Sequence, residues 1–217
     1  MHDVIKWMVL ITEYCAFLVG ILTIRRHNPV FRLFFFDLML GLANETTGLI
    51  LYYVFSIKNN LWAYDIYVLV ETMLVGFACY KLIDNKLLKK TIPWVLGGFT
   101  GLLIVHVLLK GVNQPPIMSL MVSNIILTCL FLYVMIQLIN TRAIGREPLF
   151  WISIGLIIYY GCSIPYWGVF SYLLKNDLPL LQKLLMLFWV IDILRYGLTT
   201  LSFLLLPKKT KTEILPI

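Results

Sequence analysis

The sequence predicts an all-α membrane protein with seven transmembrane helices, and three observations carry that prediction. Apolar residues make up 60% of the 217-residue chain and charged ones only 13%, whereas a soluble domain carries roughly 25% charged residues. Seven apolar windows reach the ~20 residues that a hydrocarbon core of ~30 Å demands. Lys and Arg collect on alternate connections between those windows.

The windows run over 4–24, 33–56, 62–83, 92–110, 117–140, 149–174 and 181–206. Turn or charge signals separate them: Arg25-Arg26-His27-Asn28-Pro29, Lys58-Asn59-Asn60, residues 84–90, Asn113-Gln114-Pro115-Pro116, residues 141–148 and Lys175-Asn176-Asp177. Residues 1–206 read as a single seven-helix domain and 207–217 as a basic cytosolic tail, with no room for a soluble domain beside the spans. Asp3 spoils a basic leader and Glu13 interrupts the first apolar run, so the first span is expected to be retained rather than cleaved.

Orientation follows from the basic residues. The connections after spans one, three and five, with the tail, hold twelve: Arg25, Arg26, Arg32, Lys81, Lys86, Lys89, Lys90, Arg142, Arg146, Lys208, Lys209 and Lys211. The opposite side holds five, namely Lys6, Lys58, Lys110, Lys175 and Lys183. The excess of Lys and Arg belongs on the cytosolic side, which puts the N-terminus outside and the C-terminus in the cytosol. Trp7, Trp62, Trp94 and Trp151 fall near span ends, where indoles anchor at the interface. The formal charge of +7 is thereby explained by topology and anionic headgroups rather than by nucleic acid.

Two recurrences suggest an internal repeat. Asn28-Pro29-Val30-Phe31 returns as Glu147-Pro148-Leu149-Phe150 at an offset of 119, and Lys58-Asn59-Asn60-Leu61 as Lys175-Asn176-Asp177-Leu178 at 117. On this reading spans one to three and five to seven are parallel copies joined by span four, a layout used by transporters. The alternative is chance, since Pro, Asn and Lys are common at helix ends. Cys15, Cys79, Cys129 and Cys162 all fall inside spans without metal-ligand spacing and are expected to be buried small apolar residues. Gly97-x3-Gly101 reads as a close helix-packing face.

The informative residues are the ionisable ones inside the spans. Glu13, Glu45, Glu71, Asp192 and Arg195 sit within apolar runs, where each charge costs roughly 2.5–3.5 kcal/mol even on the lenient insertion scale. At ~1.5 Å of rise per residue, Glu71 lies about 12 Å from the outer end of its span, Glu13 about 14 Å, and Glu45 and Asp192 about 17 Å. Asn124 comes out at roughly 10 Å and His106 at roughly 6 Å. Asn44 adjoins Glu45, Tyr67 sits one turn before Glu71, and Tyr159 and Tyr166 flank Pro165, which is expected to break span six. Similar depths on most of the spans predict one shared interior site.

Locally, Asp192 and Arg195 are three apart and are expected to pair with each other. Tyr67 is placed to donate to Glu71, and Asp37 is expected to pair with Arg32 or the inner headgroups. Unpaired carboxylates in low dielectric stay protonated or recruit a cation, so Glu13, Glu45 and Glu71 read as neutral acids, a proton relay or ligands for a cationic solute. Catalytic signatures are thin: His106 is the one histidine inside a span, and no HExxH, phosphate loop or mid-span lysine occurs. No cofactor or metal is expected.

Asn59-Asn60-Leu61-Trp62 leading into Ile66-Tyr67-x3-Glu71, and residues 148–155 (PLFWISIG) leading to Tyr159, resemble a group of small uncharacterised bacterial seven-helix membrane proteins. That resemblance implies the architecture and nothing beyond it; the chain itself is expected in a bacterial cytoplasmic (inner) membrane. The layout is also similar to bacterial seven-helix sensors by analogy, and in helix count and orientation to the SWEET sugar transporters, whose Pro-Gln motif this chain lacks. Three functions are expected in descending order. The first is non-enzymatic ligand sensing of a small cationic or protonatable molecule, signalling through a cytosolic or membrane partner. The second is proton- or cation-coupled solute transport. The third is an intramembrane enzyme using the acids with His106.

Overall fold

A computed structural model describes residues 2–55, 61–111, 117–141 and 146–207. Among them are seven helices: α1 (His2–Thr23), α2 (Pro29–Tyr53), α3 (Leu61–Leu82), α4 (Lys86–Lys110), α5 (Ile117–Thr141), α6 (Pro148–Asn176) and α7 (Leu178–Leu204). The expected windows match them one for one. Lys58-Asn59-Asn60, residues 113–116, residues 142–145 and the basic tail from Lys208 lie outside the described residues.

Local chemistry fixes the ends. Asn28 accepts from the backbone N–H groups of Val30 and Phe31 and places Pro29 in the first turn of α2, the capping arrangement that satisfies otherwise orphaned donors. Asn85 does the same for Leu87 and Leu88, which starts α4 at Lys86 rather than at 92. Asp177 alone separates α6 from α7 and caps the latter through Leu180. The expected break at Pro165 is absent: α6 continues through it, as α4 continues through Pro93. A proline whose missing donor costs one backbone bond is tolerated inside a packed membrane helix.

Six helices are long and apolar enough to cross a membrane, so this is an integral membrane protein. The exception is α3, which carries Asp65, Glu71 and Lys81 among its described residues. Much of the bundle's exterior is apolar, with Leu22, Leu108 and Trp94 about four-fifths exposed, as a lipid-facing surface requires.

Packing closes six helices into a ring in the order α1–α2–α3–α5–α6–α7, with α7 returning to α1 and α4 lying outside against α3 and α5. One half of the ring is filled by a core of Phe31, Phe34, Phe35, Leu38, Phe131, Val134, Ile152 and Phe203. Hydrogen bonds between helices add register: Thr72 with Ser123 at 2.6 Å joins α3 to α5, and the Ser202 hydroxyl donates to the Pro148 carbonyl at 2.6 Å. Such bonds contribute about 0.6 kcal/mol each on average in membranes. Two expectations are corrected here. Cys79 is buried, but Cys15, Cys129 and Cys162 are exposed on the bundle exterior, where apolar lipid accepts a thiol as readily as a core does. A side chain added at Gly97, Gly98 or Gly101 meets nothing within 4 Å, because α4 turns that stripe away from its neighbours.

The connection between α1 and α2 folds inward rather than over the surface. His27 is buried, with Nε2 3.1 Å from the Thr23 hydroxyl and its ring stacked 5.0 Å from Phe203. Burial, with the nearby Arg32 guanidinium second, pushes its pKa from 6.5 down to about 4. A histidine whose folded pKa is depressed binds more protons unfolded, so stability falls as pH drops through the interval from 6.5 to about 4. Thermal unfolding in detergent between pH 7.5 and 4.5 is expected to show that decline. His27→Asn is expected to flatten it, and an unchanged slope in the variant would locate the titration elsewhere.

Candidate functional site

The half of the ring that holds the N-terminus of α1 is not filled. A cavity of about 400 Å³ lies there, walled by all six ring helices and by no residue of α4. Lys6, Leu10 and Glu13 come from α1; Gly41, Asn44 and Glu45 from α2; Tyr64, Tyr67 and Glu71 from α3; Asn124 from α5. Tyr159, Tyr166, Trp167 and Phe170 come from α6, and Phe188, Trp189, Asp192, Arg195 and Tyr196 from α7. Glu45 is exposed and Lys6 half-buried, whereas Glu13, Glu71, Asn124 and Arg195 are buried. The cavity therefore runs from a charged rim to a charged floor.

The residues singled out from the sequence meet here with one exception. Glu13, Asn44, Glu45, Tyr67, Glu71, Asn124, Tyr159, Tyr166, Asp192 and Arg195 all line the space. His106 does not. It sits on α4, outside the ring, with a buried Nε2 that has no hydrogen-bond partner and a Coulombic attraction to Asp65 of α3. Depth alone brought His106 into the expectation; a helix outside the ring cannot deliver it. The acid–base pairing of His106 with the cavity glutamates is thereby removed.

Arg195 forms the floor, and its partners differ from those expected. Its Nη2 lies 3.5 Å from Asp37 Oδ2 and 3.4 Å from Glu71 Oε1. Asp192, one turn away on the same helix, is not within ion-pair distance. The guanidinium instead ties α7 to α2 and α3, which lets one cation serve two buried carboxylates. Asp37 therefore belongs to the interior and not to Arg32 or the headgroups. The Cζ of Arg195 also sits 4.1 Å from the centre of the Tyr159 ring and 5.4 Å from that of Tyr196, distances at which a desolvated cation–π contact contributes about 2 kcal/mol.

Two phenols complete the floor. The Tyr160 hydroxyl donates to Glu71 Oε1 at 3.0 Å, a role expected of Tyr67, and Tyr196 donates to Glu13 Oε1 at 3.1 Å. A side chain at position 41 would approach Glu13 Oε1 to 3.3 Å and the Tyr67 hydroxyl to 3.6 Å, so Gly41 provides the space in which the Glu13–Tyr196 bond forms. Glu13 Oε2 and Asp37 Oδ1 are buried without a hydrogen-bond partner. Beneath Arg195, a void of about 10 Å³ touches Asp37, Phe34 and Thr199, and Arg195 and Tyr196 form the partition between it and the cavity.

Sequence reasoning missed part of the wall. Trp167 and Phe170 follow Tyr166 on α6, and Phe188 joins them from α7; none of the three is ionisable. Aromatic residues are so common in spans that periodicity alone cannot separate wall from lipid face. No protein-family model matches the chain, and comparisons with curated proteins and with solved structures find no match. Fold and site together define a helical integral membrane protein with an acidic, aromatic cavity inside a ring of six helices.

Removing one partner of a buried ion pair costs about 3–5 kcal/mol, because the other charge is left uncompensated. Arg195→Met is expected to lower stability in detergent by that amount. Combining it with Asp37→Asn and Glu71→Gln is expected to recover most of the loss, measured by thermal unfolding of all three species. A single Arg195→Met variant as stable as the parent would contradict the assignment.

Proposed function

We propose that this protein spans the membrane seven times, N-terminus outside, and binds a small cationic or protonatable solute in the cavity as a non-enzymatic ligand sensor. The carrying observation is the charge balance: Glu13, Glu45, Glu71 and Asp192 line the cavity and Asp37 lies behind it, against Lys6 and Arg195. Arg195 is already shared between two of the five acids. A remaining surplus of carboxylates in low dielectric is met either by protons or by a cation from outside. The aromatic walls favour a cation over a neutral polar ligand.

Binding reaches the other face through α7. A cation among the cavity acids adds a positive charge within reach of Arg195, and Arg195 is the tie that holds α7 to α2 and α3. The far end of α7 packs Phe203 against His27 and holds Ser202 to the start of α6. Both contacts border connections rich in Arg and Lys, the surface proposed to meet a cytosolic or membrane partner. The excess of basic residues on that side supports the orientation, and a bacterial cytoplasmic membrane is the proposed location.

Transport is the second reading, and one observation favours it. Exchanging α1, α2 and α3 with α5, α6 and α7 maps the ring onto itself: α1–α2 becomes α5–α6, α2–α3 becomes α6–α7, and α3–α5 becomes α7–α1. That is the contact pattern of two parallel repeats about an axis along the membrane normal. Against it, the acids of α1, α2 and α3 have no counterparts at the corresponding positions of the second half.

Thermal unfolding of the purified protein with a panel of small primary amines tests the binding. An amine at a hundredfold excess over its Kd is expected to stabilise by about 2.7 kcal/mol, with Glu13→Gln abolishing the effect. Uptake of the same amine into proteoliposomes separates the two readings: sensing expects none. A flux lost in Glu45→Gln and Glu71→Gln would establish transport instead.

A further inference from the structure

Resting on the cation-binding reading of the cavity, we infer that the ligand is an amphipathic monoamine: its ammonium sits among Glu13, Glu45 and Asp192, and its apolar or aromatic body lies against Trp167, Phe170 and Phe188.

The chain contains its own example of how this interior holds a cation. The Arg195 guanidinium is flanked by two carboxylates and covered by a tyrosine ring at 4.1 Å. Nearer the rim the same ingredients recur, with Lys6 acting on Glu45 as the cation of that end. Glu13 lines the cavity, and its Oε2 is buried without a hydrogen-bond partner. Glu13, Glu45 and Asp192 lie close enough to repel one another, and Tyr64 lies within electrostatic reach of both Glu45 and Asp192. Three carboxylates and a ring face Lys6 alone at that end, which leaves room for a second positive charge.

Geometry restricts what that charge can be. Among the described residues no three of Asp, Glu, His or Cys come together closely enough to hold a metal ion, so the acids are spread for a larger, organic cation. The cavity of about 400 Å³ is also far too large for an ammonium alone, since a water molecule takes about 30 Å³ of the liquid. In the ring order, α6 stands opposite α2. The wall facing Glu45 is therefore the aromatic one, where Tyr166 stacks on Phe188 at 4.8 Å and Trp167 packs on Phe170 at 5.2 Å. A body filling that end removes apolar surface from water while the ammonium stays with the acids. A carboxylate on the ligand would face four cavity carboxylates, with Arg195 already engaged and Lys6 acting on Glu45, so amines fit and amino acids do not.

The test uses the full chain in nanodiscs of phosphatidylglycerol, which carries no amine, with intrinsic tryptophan fluorescence as readout because Trp167 and Trp189 line the cavity. Phenethylamine is expected to bind at least about tenfold more tightly than methylammonium. Phenethyl alcohol, which lacks the charge, and phenylalanine, which adds a carboxylate, are expected to bind at least as weakly as methylammonium. Phe188→Leu and Phe170→Leu should weaken phenethylamine without affecting methylammonium, their unliganded melting temperatures confirming folding. Equal affinities for phenethylamine and methylammonium would overturn the amphipathic ligand and leave the cation site intact. Binding of the alcohol as tightly as the amine, or of no amine at all, would overturn the cation reading beneath it. Competition by added phosphatidylethanolamine would assign the site to a lipid headgroup and overturn the free amine.

Discussion

The arrangement inside this bundle depends on one cation that cannot leave and cannot be neutralised. A guanidinium stays charged at every accessible pH, and Arg195 is buried at mid-helix on α7. The protein must therefore bring it anions, and it brings two, from α2 and α3. Those carboxylates are then tolerable only because the arginine is there. The three-way tie sets how α7 lies against α2 and α3, and with it the position of every cavity residue that α7 carries. Tyr159, Tyr160 and Tyr196 pack around the group, supplying ring faces that a cation prefers to lipid.

The same residue divides the bundle. Below it, phenylalanines from α2, α5 and α7 interlock: Phe31 and Phe203 meet at 6.4 Å, Phe34 and Phe131 at 6.1 Å. Dispersion between well-packed rings holds membrane helices together where no hydrophobic drive exists between them. Above it, larger polar and aromatic side chains stand apart and leave space. A packed half resists deformation while a cavity half can change its contents at little structural cost. Arg195 and Tyr196 are the partition, touching the cavity on one side and the small void beside Asp37 on the other.

How much of this was legible in the sequence follows the physics of each level. Helix number was readable because hydrophobic length is dictated by the bilayer, but the starts of α2, α4 and α7 were not, since the caps Asn28, Asn85 and Asp177 begin each helix ahead of its apolar window. Convergence of the acids was readable because a charge in lipid is costly enough to force it inward. Pairing was not. Asp192 is the nearest acid to Arg195 in sequence, but on a shared helix it can approach from one direction only, while Asp37 and Glu71 arrive on separate helices and flank it. Which acids reach Arg195 is a property of the ring order, and periodicity carries no information about that. His106 illustrates the same limit. Its depth suits the site, but α4 lies outside the ring, and depth says nothing about which helices are neighbours.

The ring order also bears on whether the cavity senses or carries. A twofold exchange of the two three-helix halves preserves every contact between ring neighbours, so the backbone is permissive of a rocking motion between halves. The side chains are not distributed that way. Glu13, Glu45 and Glu71 all belong to the first half, whereas Asp192, Arg195 and the aromatic wall belong to the second. A cation bound between the halves would therefore draw acid from one and rings from the other, and would hold them together rather than favour either opening. On the proposed reading its differential effect would fall on Arg195, which the added positive charge repels. A ligand moves an equilibrium only by the interactions that differ between the two states. On the proposed reading the differing interaction is the tie of α7 to α2 and α3, so the motion that binding would select is a displacement of α7 relative to its neighbours. Such a displacement would be a signal even where no solute crosses.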